Sequence, residues 1–184
     1  MGVRGPVTRR AAFLDRDGVL VRAHVRNGKP YVIHDPAAVE VLAGVPEAIA
    51  VLRQAGYMTL VVTNQPDVVR GVTTRAVVDA INERLRRELR LDAVLTCFHD
   101  DADDCPCRKP RPGLMLQARD AYGLDLASCF VIGDRWRDID AGINAGCRTV
   151  FIDYHYDEPR PLDRADHVCG SLQEATRWIL AQKR

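Results

Sequence analysis

Two kinds of apolar pattern alternate along the chain. Short unbroken runs, Ala11 to Leu14, Tyr57 to Thr63, Ala93 to Phe98, Ser128 to Ile132 and Thr149 to Ile152, read as strands buried on both faces. Between them lie stretches with apolar residues at helical spacing. Val45, Ile49 and Leu52 form a stripe that begins beside Pro46 and is closed by Gly56. Val77, Ile81, Leu85 and Leu89 fall on one face of a longer helix, with Thr73 or Thr74 as its cap. Residues Gly113 to Tyr122 and Asp138 to Ala145 predict two more helices, ended by Gly123 and Gly146. Ser171-Leu172-Gln173-Glu174 is a capping box that opens a final amphipathic helix. Residues 22–36, with Gly28, Pro30 and Pro36, read as a loop, and so do residues 99–112, with three prolines and four aspartates. The alternation predicts an α/β fold, a parallel sheet covered by helices on both faces, forming one domain over residues 1–184.

Composition narrows the class. The chain has 184 residues, 47% apolar and 28% charged, a globular mix. Lys and Arg number 26 against 25 Asp and Glu, a net charge of +1, which lacks the positive field of non-specific nucleic-acid binding. No apolar run approaches the roughly 18 residues of a membrane span. The basic N-terminus is followed by an apolar run too short for a secretory signal. The expectation is a cytoplasmic monomer whose partner is a small molecule, with no membrane and no nucleic acid. Of the six cysteines, Cys97, Cys105 and Cys107 sit together with His99, whereas Cys129, Cys147 and Cys169 stand singly as small buried hydrophobes. In a reducing compartment the cluster reads as a metal site, not as disulfides.

The reactive residue types gather at the strand ends, where open α/β sheets bind ligands. Asp15 and Asp17 follow the first strand, and Thr63 and Asn64 close the second. The Cys/His cluster and Lys109 follow the third, and Asp134 and Asp138 follow the fourth. Singly, an Asp pair can form a turn, Thr-Asn a helix cap and Gly-Asp a turn. Together at one sheet edge, the carboxylates would repel one another unless a hard divalent cation neutralised them, and oxygen ligands of this kind point to Mg²⁺. Cys97, His99, Cys105 and Cys107 match a closed tetrahedral Zn²⁺ site, whose role would be to fix the loop presenting Arg108 and Lys109. The paired aspartates Asp100-Asp101 and Asp103-Asp104 read as solvated. His24, His34 and His155 read as surface residues.

FLDRDGVL (Phe13 to Leu20) resembles the first motif of haloacid-dehalogenase superfamily phosphatases. VVTN (Val61 to Asn64) resembles the second, Lys109 in CRKPRPG the third, and IGDRWRD (Ile132 to Asp138) the fourth. The order and spacing agree from Phe13 to about Ile152. Cys97-Phe98-His99 followed by Cys105-Pro106-Cys107-Arg108-Lys109-Pro110 resembles the zinc loop of the histidinol-phosphatase-like subfamily, and most of all its heptose bisphosphate phosphatase branch. The resemblance implies a Rossmann-like three-layer sandwich without a separate cap domain. It also implies hydrolysis of a sugar phosphate, the 7-phosphate of a heptose 1,7-bisphosphate, with a histidinol-phosphate or other small-metabolite phosphatase as the alternative.

The residues carry such a mechanism. Asp15 can attack phosphorus and form an aspartyl-phosphate, while Asp17 serves as acid and then base. Asp15 and Asp134 would hold Mg²⁺ by carboxylate and Asp17 by its backbone carbonyl. Thr63 hydroxyl and the Asn64 N–H would hold phosphoryl oxygens, with Lys109 as a second positive charge. Asp138 would orient Lys109 or a water on the metal, and Arg108 and Arg135 would contact substrate. A receiver-like phospho-switch draws its acid pair and acceptor from different strands and has no zinc loop. A zinc-organised nucleic-acid module leaves the aspartates unexplained. The chain departs from the subfamily pattern at Gln65-Pro66-Asp67, where Ser-Gly usually follows, and in a longer segment after the first motif, at Ala23 to Lys29.

Overall fold

A computed structural model describes residues 9–182. Among these, the central sheet has six parallel strands in the order β5-β4-β1-β6-β7-β8. They are β1 (Arg10–Leu14), β4 (Tyr57–Asn64), β5 (Ala93–Cys97), β6 (Phe130–Gly133), β7 (Arg148–Ile152) and β8 (His167–Cys169). A separate hairpin pairs β2 (His24–Arg26) with β3 (Lys29–Tyr31). The helices are α1 (Val45–Gln54), α2 (Arg75–Glu88), α3 (Gly113–Tyr122), α4 (Trp136–Ala145) and α5 (Leu172–Ala181). No helix among the described residues is long and apolar enough to cross a membrane. This is the Rossmann-like sandwich that the motifs imply.

Residues 11–14 of β1 are fully buried because layers cover both faces of the sheet. One core layer joins Leu14, Val61 and Ile132 to α1 and α5 through Ile49, Leu52 and Ile179. The other joins Phe13, Leu60 and Val131 to α3 through Leu114, Met115 and Ala118. Strand order reverses beside β1: β4 and β5 lie on one side, β6 to β8 on the other. That is the switch point at which loops diverge and leave a crevice.

Several expectations are corrected. Residues 22–36 are not a plain loop but contain the β2–β3 hairpin. Its two-residue turn, Asn27-Gly28, has φ of 49° and 73°, the geometry this dipeptide favours. The fourth strand begins at Phe130 rather than Ser128, because Leu126–Ser128 form a 3₁₀ turn capped by Asp125. β8 is an additional edge strand. Within α2, Val78 rather than Val77 is fully buried, beside Ile81, Asn82 and Leu85, while Thr74 caps the helix by accepting from the Val77 N–H. At α5, Ser171 accepts from the Glu174 N–H, whereas the Glu174 carboxylate takes the Gly170 N–H.

Asn82 explains itself through Arg16, which is 1% exposed. A Nη of Arg16 donates to Asn82 Oδ1 at 2.9 Å, and Asn82 Nδ2 donates to Thr96 Oγ1 at 3.0 Å. The other side of the guanidinium pairs with Asp17 at 3.0 Å. A buried guanidinium N–H left without its acceptor costs about 1–3 kcal/mol. Asn82→Ala is therefore expected to lower unfolding stability in urea by that amount, and Asn82→Asp to lower it less.

Candidate active site

The C-terminal ends of β1, β4 and β6 meet at one cavity of about 60 Å³, walled by Asp15, Asp17, Thr63, Asn64, Lys109, Arg135 and Asp138, among others. Asp15 follows β1 directly, and its N–H donates to the Ile132 carbonyl at 3.0 Å, fixing it beside β6. Lys109 enters from the loop after β5. Its Nζ lies 2.8 Å from Asp15 Oδ1, 2.6 Å from Asp138 Oδ1 and 2.7 Å from the Val62 carbonyl oxygen. Asn64 does more than line the pocket. Its Oδ1 accepts from the Lys109 N–H at 3.1 Å and its Nδ2 donates to the Lys109 carbonyl at 3.0 Å. That reciprocal pair pins the Lys109 main chain to the tip of β4.

Asp15, Asp134 and Asp138 bring one carboxylate oxygen each within 4.8 Å of one another. All three are buried. Both oxygens of Asp134 lack a hydrogen-bond partner. Tyr156 stands beside it without a hydrogen bond of normal geometry. Two glycines permit this crowding. A Cβ at Gly18, which has φ +94°, would strike the Asp134 carboxylate, and one at Gly133 would strike Asp138. A buried carboxylate with two unused oxygens, facing two others, fits a hard divalent cation. The Asp17 carboxylate stands outside this cluster, accepting from Gln65 Nε2 at 2.9 Å and pairing with Arg16. Gln65 Nε2 also donates to Thr63 Oγ1 at 2.9 Å, so one amide links the acid and the hydroxyl.

Burial and the neighbouring Asp15 and Asp138 push the Asp134 carboxyl well above the usual carboxylate range. Burial also raises Asp138, against the pull of Lys109. For Lys109, burial alone would lower the value, but Asp138 and Asp15 overcome it and hold the ammonium above its ordinary range.

Cys97, His99, Cys105 and Cys107 form a second cluster. The Sγ atoms stand 3.2–3.7 Å apart, and His99 Nδ1 lies 3.6 Å from Cys97 Sγ and 3.3 Å from Cys107 Sγ. A tetrahedron of thiolates about 2.3 Å from a central Zn²⁺ has edges of about 3.8 Å. The four donors therefore fit that ion, and no disulfide links the described cysteines.

The loop aspartates are not merely solvated. Asp101 Oδ1 takes Arg108 Nε at 2.8 Å and an Arg137 Nη at 3.0 Å. Asp100 takes Arg70 through two contacts of 2.6 Å, and Asp104 pairs with Arg111. Arg108 accordingly lies outside the inner cavity, on a basin of about 310 Å³ that adjoins it. Arg135 walls both spaces, with its Nε 2.8 Å from Glu158. His34 Nε2 lies 2.9 Å from Asp67 Oδ2, so the departing Gln65-Pro66-Asp67 segment is tied to the chain that follows the β2–β3 hairpin. His155 is three-quarters exposed and pairs with Asp153. Gln65, Arg16, Asn82 and Arg137 were not legible as site residues from spacing alone.

Residues 106–175 match the HAD-hydrolase-like family model. The chain is 31% identical to the D-glycero-beta-D-manno-heptose-1,7-bisphosphate 7-phosphatase of Escherichia coli K12, with 95% of each chain covered. It is 36% identical to the enzyme of that name from Bordetella bronchiseptica, over 73% of this chain and 75% of the other. The chain belongs to the HAD-like hydrolases. Among solved HAD structures, the B. bronchiseptica D,D-heptose 1,7-bisphosphate phosphatase, complexed with magnesium and phosphate, superposes with a TM-score of 0.78. Its sequence identity is 29%, over 94% of this chain and 98% of that one. A HAD-like phosphatase structure from Mesorhizobium loti gives a TM-score of 0.76 at 29% identity, over 100% and 94% of the two chains.

The carboxyl shifts fix a pH dependence for the HAD site. Asp134 and Asp138 are raised in the fold above the roughly 3.9 of an unfolded Asp, so without a cation they are bound to lose stability as pH rises through their folded values. In Mg²⁺-free buffer the melting temperature should fall as pH rises above the roughly 3.9 of an unfolded Asp. Added Mg²⁺ should raise it more at the higher pH, and Asp134→Asn should flatten both trends.

Proposed function

We propose that this chain is one phosphatase domain hydrolysing phosphomonoesters with Mg²⁺ through an aspartyl-phosphate on Asp15. The substrate is the 7-phosphate of a heptose 1,7-bisphosphate or a close sugar phosphate. The reading is carried by the Asp15 carboxylate, held 2.8 Å from Lys109 Nζ at a small open cavity where three buried carboxylates converge. Asp15, Asp134 and the backbone carbonyl of Asp17 would hold Mg²⁺. When bound, the cation supplies the positive charge that lets a carboxylate approach a phosphate dianion.

Asp15 attacks phosphorus, and the bond to the sugar oxygen breaks. Asp17 gives its proton to that oxygen as it leaves, then takes one from the water that attacks the aspartyl-phosphate. Thr63 hydroxyl and the Asn64 main-chain N–H hold phosphoryl oxygens. Lys109 opposes the negative charge and Asp138 keeps Lys109 in place. Cys97, His99, Cys105 and Cys107 would hold Zn²⁺. Four protein ligands leave it no open position for water, so its part is to set the loop carrying Arg108 and Lys109. Arg135 walls both the inner cavity and the outer basin and Arg108 only the basin, so the sugar lies in the outer basin against Arg108 and Arg135. The names of the relatives support the heptose reading. The protein works in the cytoplasm as a monomer.

Phosphate release from a generic phosphomonoester should require Mg²⁺. Asp15→Asn should cut it to below a hundredth, at or beyond the loss from one acid–base catalyst, with the fold retained. Asp17→Asn should slow both half-reactions. Release without Mg²⁺, or persistence in Asp15→Asn, excludes the covalent mechanism.

Metal analysis of protein prepared without chelators should find one zinc per chain. Structural zinc is worth on the order of 10–16 kcal/mol in small zinc peptides. Stripping it should therefore loosen residues 97–112, read as faster hydrogen exchange, and weaken turnover through Lys109. Zinc-free protein with full activity contradicts this role.

A further inference from the structure

The outer basin is unequally charged. Lys29, Arg70, Arg108, Arg135 and Arg137 face it against three carboxylates, Asp67, Asp101 and Glu158. Asp101 is shared between two of these arginines. One oxygen of this carboxylate serves both Arg108 of the zinc loop and Arg137 of α4, at 2.8 and 3.0 Å. The two cations are rooted and the anion is not: the Arg108 and Arg137 side chains are 11% and 26% exposed, Asp101 57%. Arg137 also lies over the Trp136 ring, 4.7 Å from its centroid, which fixes the guanidinium before any ligand arrives. An ion pair with so exposed a carboxylate contributes little and is exchanged easily. A phosphate, with more charge and oxygens placed for two guanidinium forks, competes with it readily. Arg137 walls the inner cavity as well as the basin, so an anion between Arg137 and Arg108 belongs to the molecule whose phosphoryl group reaches Asp15.

We propose that Asp101 is a resident stand-in for the second anionic group of the substrate, and that Arg137 is a specificity-determining residue that takes this group from it together with Arg108. The inference rests on the phosphatase reading and adds to it the exchange of carboxylate for phosphate. On binding, Asp101 swings into solvent and the second phosphate occupies its place. Substrates lacking that group leave Asp101 in position and gain nothing from Arg137.

The test compares kcat/KM for a heptose 1,7-bisphosphate and the matching heptose 7-phosphate in wild type, Arg137→Ala, Arg137→Lys and Asp101→Asn, with zinc content measured in each. Wild type should prefer the bisphosphate. Arg137→Ala should cut that preference about tenfold or more, the loss of one charge-assisted contact, mainly through KM. Arg137→Lys, a point charge without the fork, should restore part of it. Asp101→Asn removes the competitor and should lower KM for the bisphosphate. An unchanged preference in Arg137→Ala overturns the proposal. So does a preference that falls in Asp101→Asn with zinc retained, since Asp101 would then be a brace. Arg137 lies outside the zinc loop, so its variants decide the matter if Asp101→Asn loses zinc. A wild type active on both sugars without preference overturns this inference alone. Activity on neither, in protein that hydrolyses a generic phosphomonoester, overturns the heptose reading and this with it.

Discussion

A lysine ammonium buried among carboxylates sets the terms for the rest of the molecule. Lys109 is 2% exposed, and the three aspartates around it are also buried. Isolated charges at such depth cost several kcal/mol each, and pairing offsets this only where geometry is close. Here the geometry is close for two of the three: Asp15 and Asp138 touch the ammonium, whereas Asp134 has only Tyr156 beside it. The ammonium serves two of the three carboxylates, and burial holds the third, Asp134, toward its protonated form unless a cation joins it. The fold therefore holds a site that is electrostatically incomplete, with the deficit located at Asp134. That is the opposite of what stability alone would select, and it is the arrangement a cation-dependent hydrolase needs.

Placing Lys109 falls to a loop, and loops are poor at holding a side chain to within half an ångström. Two devices compensate. The Asn64 amide clamps both main-chain groups of Lys109, tying the loop to the tip of a central strand. Just upstream, the Cys/His cluster gathers four donors from residues 97–107 around a common point. The loop is thus held at Lys109 itself and just upstream of it. Glycines do the rest by allowing Gly18 and Gly133 to approach the carboxylates closely, where any side chain would displace them.

Much of this was legible because the chemistry follows the strand period. Asp15, Asn64 and Asp134 stand at the ends of neighbouring parallel strands, and a parallel sheet has to bring such ends together. Cys97, His99, Cys105 and Cys107 were legible from ligand type and spacing. What escaped depends on contacts across the sequence. Asn82 looks like any polar residue of an amphipathic helix until Arg16, buried 66 positions away, is seen to need it. Gln65 joins Asp17 to Thr63, a role that no spacing encodes. The acidic loop read as solvated because its partners, Arg70 and Arg137, come from two other elements. The hairpin was signalled by Asn27-Gly28, but Pro30 and the shortness of both strands spoke against it. Pro30 is tolerated because the hairpin has no third strand to receive a hydrogen bond.

The arrangement separates two tasks that a single pocket would confuse. Around Asp15 the groups are buried and held by reciprocal contacts, which is what a step with strict geometry requires. In the basin beyond, the arginines are held by carboxylates of differing exposure, from Glu158 at 15% to Asp101 at 57%. Exposed pairs exchange cheaply, so the outer surface can be retuned by single substitutions without disturbing the inner one. The departures at Pro66-Asp67 and in the β2–β3 segment both reach the basin, and Pro30 and Tyr31 of β3 also line the inner cavity with Asp15, Lys109 and Asp138. Variation in the outer basin over an unchanged Asp15–Lys109–Asp138 cluster is what this division of burial permits.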